Sequence, residues 1–370
     1  MDKPLVILVG GFLGAGKTTL LATATQRLTG QGKRVGLITN DQAANLVDTA
    51  ILTERESPVQ EVSGGCFCCK FDDLIGAMER LISEGQPDVL LGEPVGSCTD
   101  LSATVMQPIK ALHGDRYRLA PSSVLVDPDR VRALLEPSPS TLPLQVFPEN
   151  VLYIYRKQLE EADFIVLNKI DLLPADERLR IEDALRREFP RSEVMSLSAK
   201  EGTGVDAWLE AVTGDGEPGR TVTEVDYDVY AEGEAALGWL NAAYWLHSDP
   251  GMDWGAFCLR VMTRLRWEFR ERAAEVAHLK LHLKSGSSSL VANLTSSLGE
   301  PSLRGKIEGS TEDARLLVNV RAHIDPDGLR SLVERSVEEA AGHTIRVVTE
   351  DLQCFAPSRP QPTHRYKVVV

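Results

Sequence analysis

A doubly wound α/β layer with a mostly parallel sheet, followed by a smaller α+β domain, is predicted by three observations. Short apolar runs alternate with amphipathic stretches of helical length through the first half of the chain. A glycine-rich turn joins the first apolar run to the first helical stretch. Past a Gly/Pro-rich segment at 214–220 the pattern changes to short alternating runs around fewer helical stretches. Strand–helix alternation argues for a parallel sheet covered on both faces. In such sheets ligands sit at the carboxyl ends of the strands.

The glycine-rich turn reads Gly11-Phe12-Leu13-Gly14-Ala15-Gly16-Lys17-Thr18 and fits G-x-x-x-x-G-K-[ST]. Leu5 to Val9 precede it as a buried strand, and Thr19 to Ala24 open a helix. That context makes it a P-loop. Backbone N–H groups at Gly11, Gly14, Ala15, Gly16, Lys17, Thr18 and Thr19 are expected to cradle phosphates, aided by the helix N-terminus. Lys17 should reach the β/γ-phosphates and the Thr18 hydroxyl should ligate Mg²⁺.

The 370 residues allow two or three domains. We divide them into a nucleotide domain (1–213), a linker (214–222) and an α+β domain (223–370). A net charge of −14 argues against a nucleic-acid partner. No apolar run reaches transmembrane length, so no membrane partner is expected. Six cysteines, three of them within four residues, make a poor disulfide framework and fit metal or redox chemistry in a reducing cytoplasm.

A second strand is expected at 35–39, ending at Asn40-Asp41. Asp41 either approaches Mg²⁺ through water or merely turns the chain, since Asn and Asp are turn formers. Gly64-Gly65 then free the backbone before Cys66, Cys68 and Cys69. As thiolates these three can converge on one soft or borderline cation. Three thiolates leave a tetrahedral Zn²⁺ one ligand short, as in an open site, with water, a partner's side chain or Cys98 as the fourth. The alternative is inert buried thiols.

Residues 71–84 carry apolar side chains at helical spacing. A strand at 88–92 delivers Glu93, an acid placed to hold Mg²⁺, and Gly96 can let backbone approach the γ-phosphate. Lys17 and Glu93 are the candidate catalytic pair. Residues 136–150 are Pro-rich and read as loop. A strand at 164–167 leads into Asn168-Lys169-Ile170-Asp171, an N-K-x-D. The Asp171 carboxylate can accept from two guanine donors that adenine lacks, and Lys169 would lie along the base. Ser198-Ala199-Lys200 follows another short strand, where backbone can reach the guanine oxygen.

In the second domain Ala277, Leu279, Leu281 and Leu283 alternate with His278, Lys280 and His282, a half-buried strand. Four residues along a strand span about 13 Å, too far for the two histidines to share a cation, and they are expected to be solvated. Further strands are expected near 290–294, 303–307, 316–322 and 344–348, with a helix at 326–341. The Pro-rich end reads as an irregular tail.

Residues 5–212 resemble the CobW-like GTPases, a P-loop family related to the urease and hydrogenase nickel-insertion GTPases. The resemblance lies in GFLGAGKTT (11–19), GCFCC (65–69), Glu93-Pro94-Val95-Gly96 as E-x-x-G, and Asn168 to Asp171. It implies Mg²⁺-dependent GTP hydrolysis coupled to handling of a transition metal, Zn²⁺ or Co²⁺, and delivery to a client metalloprotein. It also implies that Cys66, Cys68 and Cys69 bind that metal and that their loop links it to Glu93. This chain departs from the family in carrying Gln42-Ala43-Ala44-Asn45 after Asn40-Asp41, where the family has a glycine and an acid. The alternative is a GTPase chaperone of a cofactor-dependent enzyme with a regulatory zinc site. A small-molecule kinase and a thiol-redox switch are less consistent with Asp171 and the cysteine spacing. A homodimer is left open.

Overall fold

The structure is a computed structural model that describes residues 3–43, 46–53, 57–135 and 147–370. Ala44, Asn45 and most of the proline-rich stretch lie outside the described residues.

The first layer runs β1 (Leu5–Gly11), α1 (Lys17–Gly30), β2 (Val35–Asp41), α2 (Val47–Thr53), β3 (Val59–Ser63), α3 (Phe71–Gly85) and β4 (Val89–Glu93). A π-turn at Ser102–Met106 leads into α4 (Gln107–His113), then β5 (Arg118–Leu119), β6 (Ser123–Val126), α5 (Pro128–Leu135) and α6 (Glu149–Glu161). The layer closes with β7 (Phe164–Leu167), α7 (Ala175–Glu188), β8 (Glu193–Ser196) and α8 (Val205–Thr213). The strands lie in the order β3–β2–β4–β1–β6–β7–β8 with β5 beside β1, and every pairing is parallel. β1 is buried along its whole length, as its unbroken apolar run requires of a strand covered on both faces. Val6 and Leu8 face one core with Phe71 and Leu74 of α3, whereas Ile7 and Val9 face the other with Leu20, Leu21 and Trp208.

The chain then crosses the first layer before entering the second. The N–H groups of Gly219 and Arg220 donate to Asp163 at 2.7 and 2.9 Å, so the stretch read as linker is fastened down. α9 (Tyr227–Ala235) packs on α6 at Gly233, where a Cβ would stand 2.4 Å from the Asn150 carbonyl oxygen.

The second layer comprises β9 (Gly238–Met252), α10 (Trp254–Glu271), β10 (Val276–Ser285), β11 (Ser288–Leu294), β12 (Ser302–Lys306), β13 (Thr311–Ala322), α11 (Pro326–Ala341) and β14 (Arg346–Phe355). Its antiparallel order is β12–β11–β10–β13–β9–β14. One face, with Leu279, Leu281, Val318, Val320, Leu240 and Ala242, forms a core with α10 and α11.

The opposite face meets the first layer, which corrects the expectation of solvated histidines. His282 is 4% exposed. His278 Nε2 lies 3.0 Å from Asn293 Oδ1, and burial drives that imidazole well below its ordinary pKa. The polar side of β10 is polar because it meets a charged surface of the first layer, not water. On the neighbouring strands Asn319 Oδ1 accepts from the Val47 N–H at 2.7 Å, and Arg321 Nη2 pairs with Asp41 Oδ2 at 2.6 Å. Both members of that pair are under 10% exposed. Burial pushes the Asp41 carboxyl up, and Arg321 and the Gln42 and Ala43 amides pull it back. The Arg321 guanidinium also lies 4.3 Å from the Trp239 ring centre. Among the described residues no helix is long and apolar enough to cross a membrane.

Arg321→Ala leaves a buried carboxylate uncompensated and is expected to lower stability by about 3 kcal/mol. Urea unfolding measures it; a midpoint equal to the parent's would show that this ion pair does not hold the layers together.

Candidate functional site

Each motif falls where a strand of the first sheet ends. The P-loop follows β1, with Gly14 and Gly16 in left-handed backbone at φ of 80° and 96°. Lys17 Nζ donates to the carbonyls of Gly11 at 2.9 Å and Phe12 at 3.4 Å. Burial lowers the Lys17 pKa, with Glu93 opposing that shift. Thr19 continues the first turn of α1. The loop after β4 can lie on the P-loop because Gly96 has no side chain: a Cβ there would stand 2.7 Å from Leu13 Cδ2.

The Thr18 hydroxyl gathers the charges. It donates to Asp48 of α2, and Glu93 Oε1 stands 3.1 Å away. Lys280 Nζ, arriving from β10, donates to Asp48 and lies 3.4 Å from Thr18 Oγ1. Burial pushes the Glu93 carboxyl up to about 7, and the Asp48 charge adds to that. Burial also acts to raise Asp48, but Lys280, His278 and the Lys280 and Thr18 hydrogen bonds outweigh it and hold the carboxyl at about 2. Glu93 Oε2 is buried without a hydrogen-bond partner. A hydroxyl and two carboxylates, one of them with an orphaned oxygen, form a hard, all-oxygen donor set that fits Mg²⁺. Bound there, Mg²⁺ would neutralise charge on transferring phosphate oxygens.

Asp41, one of the two acids expected near that metal, is engaged elsewhere: its oxygens go to Arg321 and to the Gln42 and Ala43 N–H groups. Asp48 is the residue the sequence reading missed. An acid opening the short helix after the second strand was the available signal. Lys280 was also missed, because it was read as one member of a solvated face.

At the base end, Asn168 ties two loops together. Its Nδ2 donates to the Ala15 carbonyl at 2.8 Å, and its Oδ1 accepts from the Ala199 N–H at 2.9 Å. The Asp171 carboxylate accepts from the Ser198 hydroxyl at 2.6 Å, which orients it beside that loop. Lys169 has φ of 61° and pairs with Asp127 at 2.5 Å. Lys200 points outward and pairs with Glu201 at 3.3 Å.

The three cysteines sit after β3, a strand the sequence reading missed. Cys66 Sγ lies 2.6 Å from Cys68 Sγ and 3.3 Å from Cys69 Sγ; Cys68 and Cys69 sulfurs are 3.8 Å apart. Sulfurs around a tetrahedral Zn²⁺ at about 2.3 Å stand about 3.8 Å from one another. The Cys68–Cys69 separation matches that, and the Cys66 sulfur sits closer to both and would have to open outwards to admit an ion. Cys98, in the loop after β4, is near enough to shift the Cys66 and Cys68 thiols, but among the described residues the sulfurs that all lie within 4.8 Å of one another are those of Cys66, Cys68 and Cys69. Hydrogen bonds from its three sulfur neighbours hold the Cys66 thiol well below its ordinary pKa. Cys68 and Cys98 are pushed well above theirs, and Cys69 up to about 11, Cys66 being the foremost cause in each. The cluster thus favours one thiolate shared among thiols. Asn40 anchors the loop: Nδ2 donates to the Val62 and Gly65 carbonyls at 2.8 and 2.7 Å, and Oδ1 accepts from the Phe67 N–H at 2.8 Å.

The irregular tail is pinned across this loop. The Thr363 N–H donates to the Cys68 carbonyl at 2.9 Å and the Gln361 N–H to Cys69 Sγ at 3.1 Å. Arg365 pairs with Asp100 at 2.7 Å, and the His364 ring meets Phe71 edge-on at 5.0 Å.

A sequence profile of the family described as CobW/HypB/UreG, nucleotide-binding domain, matches residues 5–196. The chain is 30% identical over 219 residues to the zinc chaperone CobW of Sinorhizobium sp, covering 52% of this chain and 58% of that one. It is 31% identical over 171 residues to the zinc chaperone YeiR of Escherichia coli K12, covering 44% and 46%. The chain therefore spans about half the length of the curated relatives it matches. The crystal structure of Zn(II)-bound YjiA GTPase from E. coli aligns over 90% of this chain and 99% of that one, at 17% identity and a TM-score of 0.36, too distant to carry an argument.

Asn168→Ala removes both bonds between the P-loop and the Ala199 loop and is expected to cost about 2 kcal/mol. Thermal unfolding and a nucleotide titration should both show the loss; unchanged values would mean the two loops are held by other contacts.

Proposed function

The chain belongs to the CobW/HypB/UreG family, and we propose that it is a GTP-hydrolysing metallochaperone. It would carry a zinc-class ion on Cys66, Cys68 and Cys69 and pass it to a client metalloprotein. Lys17 and the P-loop amides would hold the triphosphate, Thr18, Asp48 and Glu93 would hold Mg²⁺, and Asp171 would select guanine. The zinc-chaperone names of the relatives support the choice of metal class.

The observation that carries this reading is the loop from Glu93 to Cys98. Its first residue stands at the Thr18 hydroxyl, and its last reaches the sulfurs of Cys66 and Cys68. The end of β2 anchors the same loop, since Asn40 grips it through the Val62 and Gly65 carbonyls and the Phe67 amide. Only four residues, Pro94 to Ser97, therefore separate Glu93 at the phosphate site from Cys98 beside the sulfur cluster. Nucleotide state and metal affinity would bias each other reciprocally.

A second reading is favoured by the fourth sulfur. With Cys98 in reach, and Cys66, Cys68 and Cys98 all buried, the donor set resembles a closed site that retains its ion. In that case the zinc would regulate a GTPase chaperone and not be cargo.

Zn²⁺ titration of the metal-free protein against a chelator should give one high-affinity ion per chain, lost in Cys66→Ala, Cys68→Ala and Cys69→Ala. Unchanged stoichiometry in all three variants would remove the cysteine site. Affinities that differ between the GTP- and GDP-bound protein support transfer; equal affinities support the regulatory zinc. Because Cys68, Cys69 and Cys98 hold their protons to high pH, binding should release protons, and the apparent affinity should climb from pH 6 to pH 9. A flat profile would mean the thiols are not the donors. Asp171→Asn should reduce the preference for GTP over ATP at least tenfold in competition binding. A preference left intact would place base recognition elsewhere.

A further inference from the structure

The Thr18 hydroxyl, Asp48 and Glu93 converge on one point, and the second layer already supplies a cation there. Lys280 projects from the middle of β10, with its ammonium on Asp48 and 3.4 Å from Thr18 Oγ1. Its side chain is 13% exposed and that of Asp48 10%. The lysine is not a swinging surface group, because β10 is held on both sides of it. Arg130 Nη2 donates to the carbonyls of Val276 at 2.9 Å and Thr295 at 2.5 Å, and Arg130 also pairs with Glu275 at 3.1 Å. Beside β10, β13 is fixed by Arg321 on Asp41 and Asn319 on the Val47 amide. The P-loop lies directly beneath: a Cβ on Gly14 would stand 2.7 Å from Thr295 Cγ2 and 3.3 Å from the Ala277 carbonyl.

We propose that Lys280 and Mg²⁺ compete for the oxygens of Thr18 and Asp48, so that loading of Mg²⁺–GTP is opposed by docking of the second sheet over the P-loop. This rests on the GTPase reading above and adds a device to it. An ammonium and a divalent cation cannot share one pair of oxygens without strong repulsion in a site shielded from water. Each event therefore weakens the other by the same factor. In the proposed device Lys280 withdraws together with β10, which carries with it the sheet bonded to Asp41 and Val47. The fold thus makes the second layer a sensor of the Mg²⁺–nucleotide state. A surface that leaves the P-loop when Mg²⁺–GTP binds is one that a partner can meet in that state alone.

The test uses the full chain bound to GTPγS and titrates Mg²⁺ by calorimetry. Lys280→Met, which keeps length and removes charge, should bind Mg²⁺ at least tenfold more tightly than the parent. Lys280→Arg, which keeps the charge, should stay within threefold of it. Equal or weaker Mg²⁺ binding by Lys280→Met would overturn the proposal and make Lys280 a cation that assists phosphate binding. Should Lys280→Met fail to fold, hydrogen exchange on the parent decides. The Val47 amide, bonded to Asn319, should exchange faster when Mg²⁺ is added to the GTPγS complex, and unchanged protection would overturn the proposal. Failure of GTPγS to bind at all removes the nucleotide reading and this inference together. Binding with an Mg²⁺ affinity indifferent to Lys280 removes the inference alone.

Discussion

Three carboxylates lie out of water where β2, α2 and β4 meet the P-loop: Asp41, Asp48 and Glu93. A buried carboxylate must find a cation or take up a proton. The first layer supplies Lys17, which spends its hydrogen bonds on the P-loop's own carbonyls. The other two cations, Arg321 and Lys280, come from the second sheet, one onto Asp41 and one onto Asp48. Glu93 is left with one oxygen unbonded, and burial pushes its carboxyl up to about 7. The charge balance of the phosphate site is therefore shared between two layers far apart in sequence. That sharing, more than apolar area, explains why the second sheet presents histidine, lysine, asparagine and arginine on a face it buries.

The cysteine loop obeys the same geometry. It leaves β3 at the sheet edge, next to β2, whose last residues grip the loop on one side and Arg321 on the other. β4 ends on Glu93 at the phosphate site, and the loop after it carries Cys98, also buried, towards the cysteine loop. The proposed metal donors and the phosphate site thus lie past the ends of neighbouring strands, with Phe67, Val95 and Leu13 packed in the core cluster that both adjoin.

The first layer was largely legible because its strands are unbroken apolar runs and its motifs sit where those runs stop. α2 and β3 escaped notice because each is short and mixed: Val59-Gln60-Glu61-Val62-Ser63 has no sustained period. β9 is longer and still gave no signal. It is covered by α10 and α11 on one face and by the first layer on the other, so Ala242 and Ala243 are both buried and the alternation that marks a half-exposed strand is erased. β10 kept its alternation but misled for the converse reason, since a polar side is read as wet until something is found to cover it. The role of Lys280 was unreadable because it arises only when residues more than two hundred positions apart meet. The fourth ligand stays open among water, a partner's side chain and Cys98, since the sulfurs grouped within 4.8 Å among the described residues are those of Cys66, Cys68 and Cys69.

The segment from Gln361 to Thr363 lies over the outermost sulfur, lending an amide N–H to Cys69 and another to the Cys68 carbonyl. In the proposed metal-carrying role, an ion approaching from this side would have to displace the strip. The grip on such an ion would belong to the thiols, and the access to it would belong to a length of backbone nearly three hundred residues downstream.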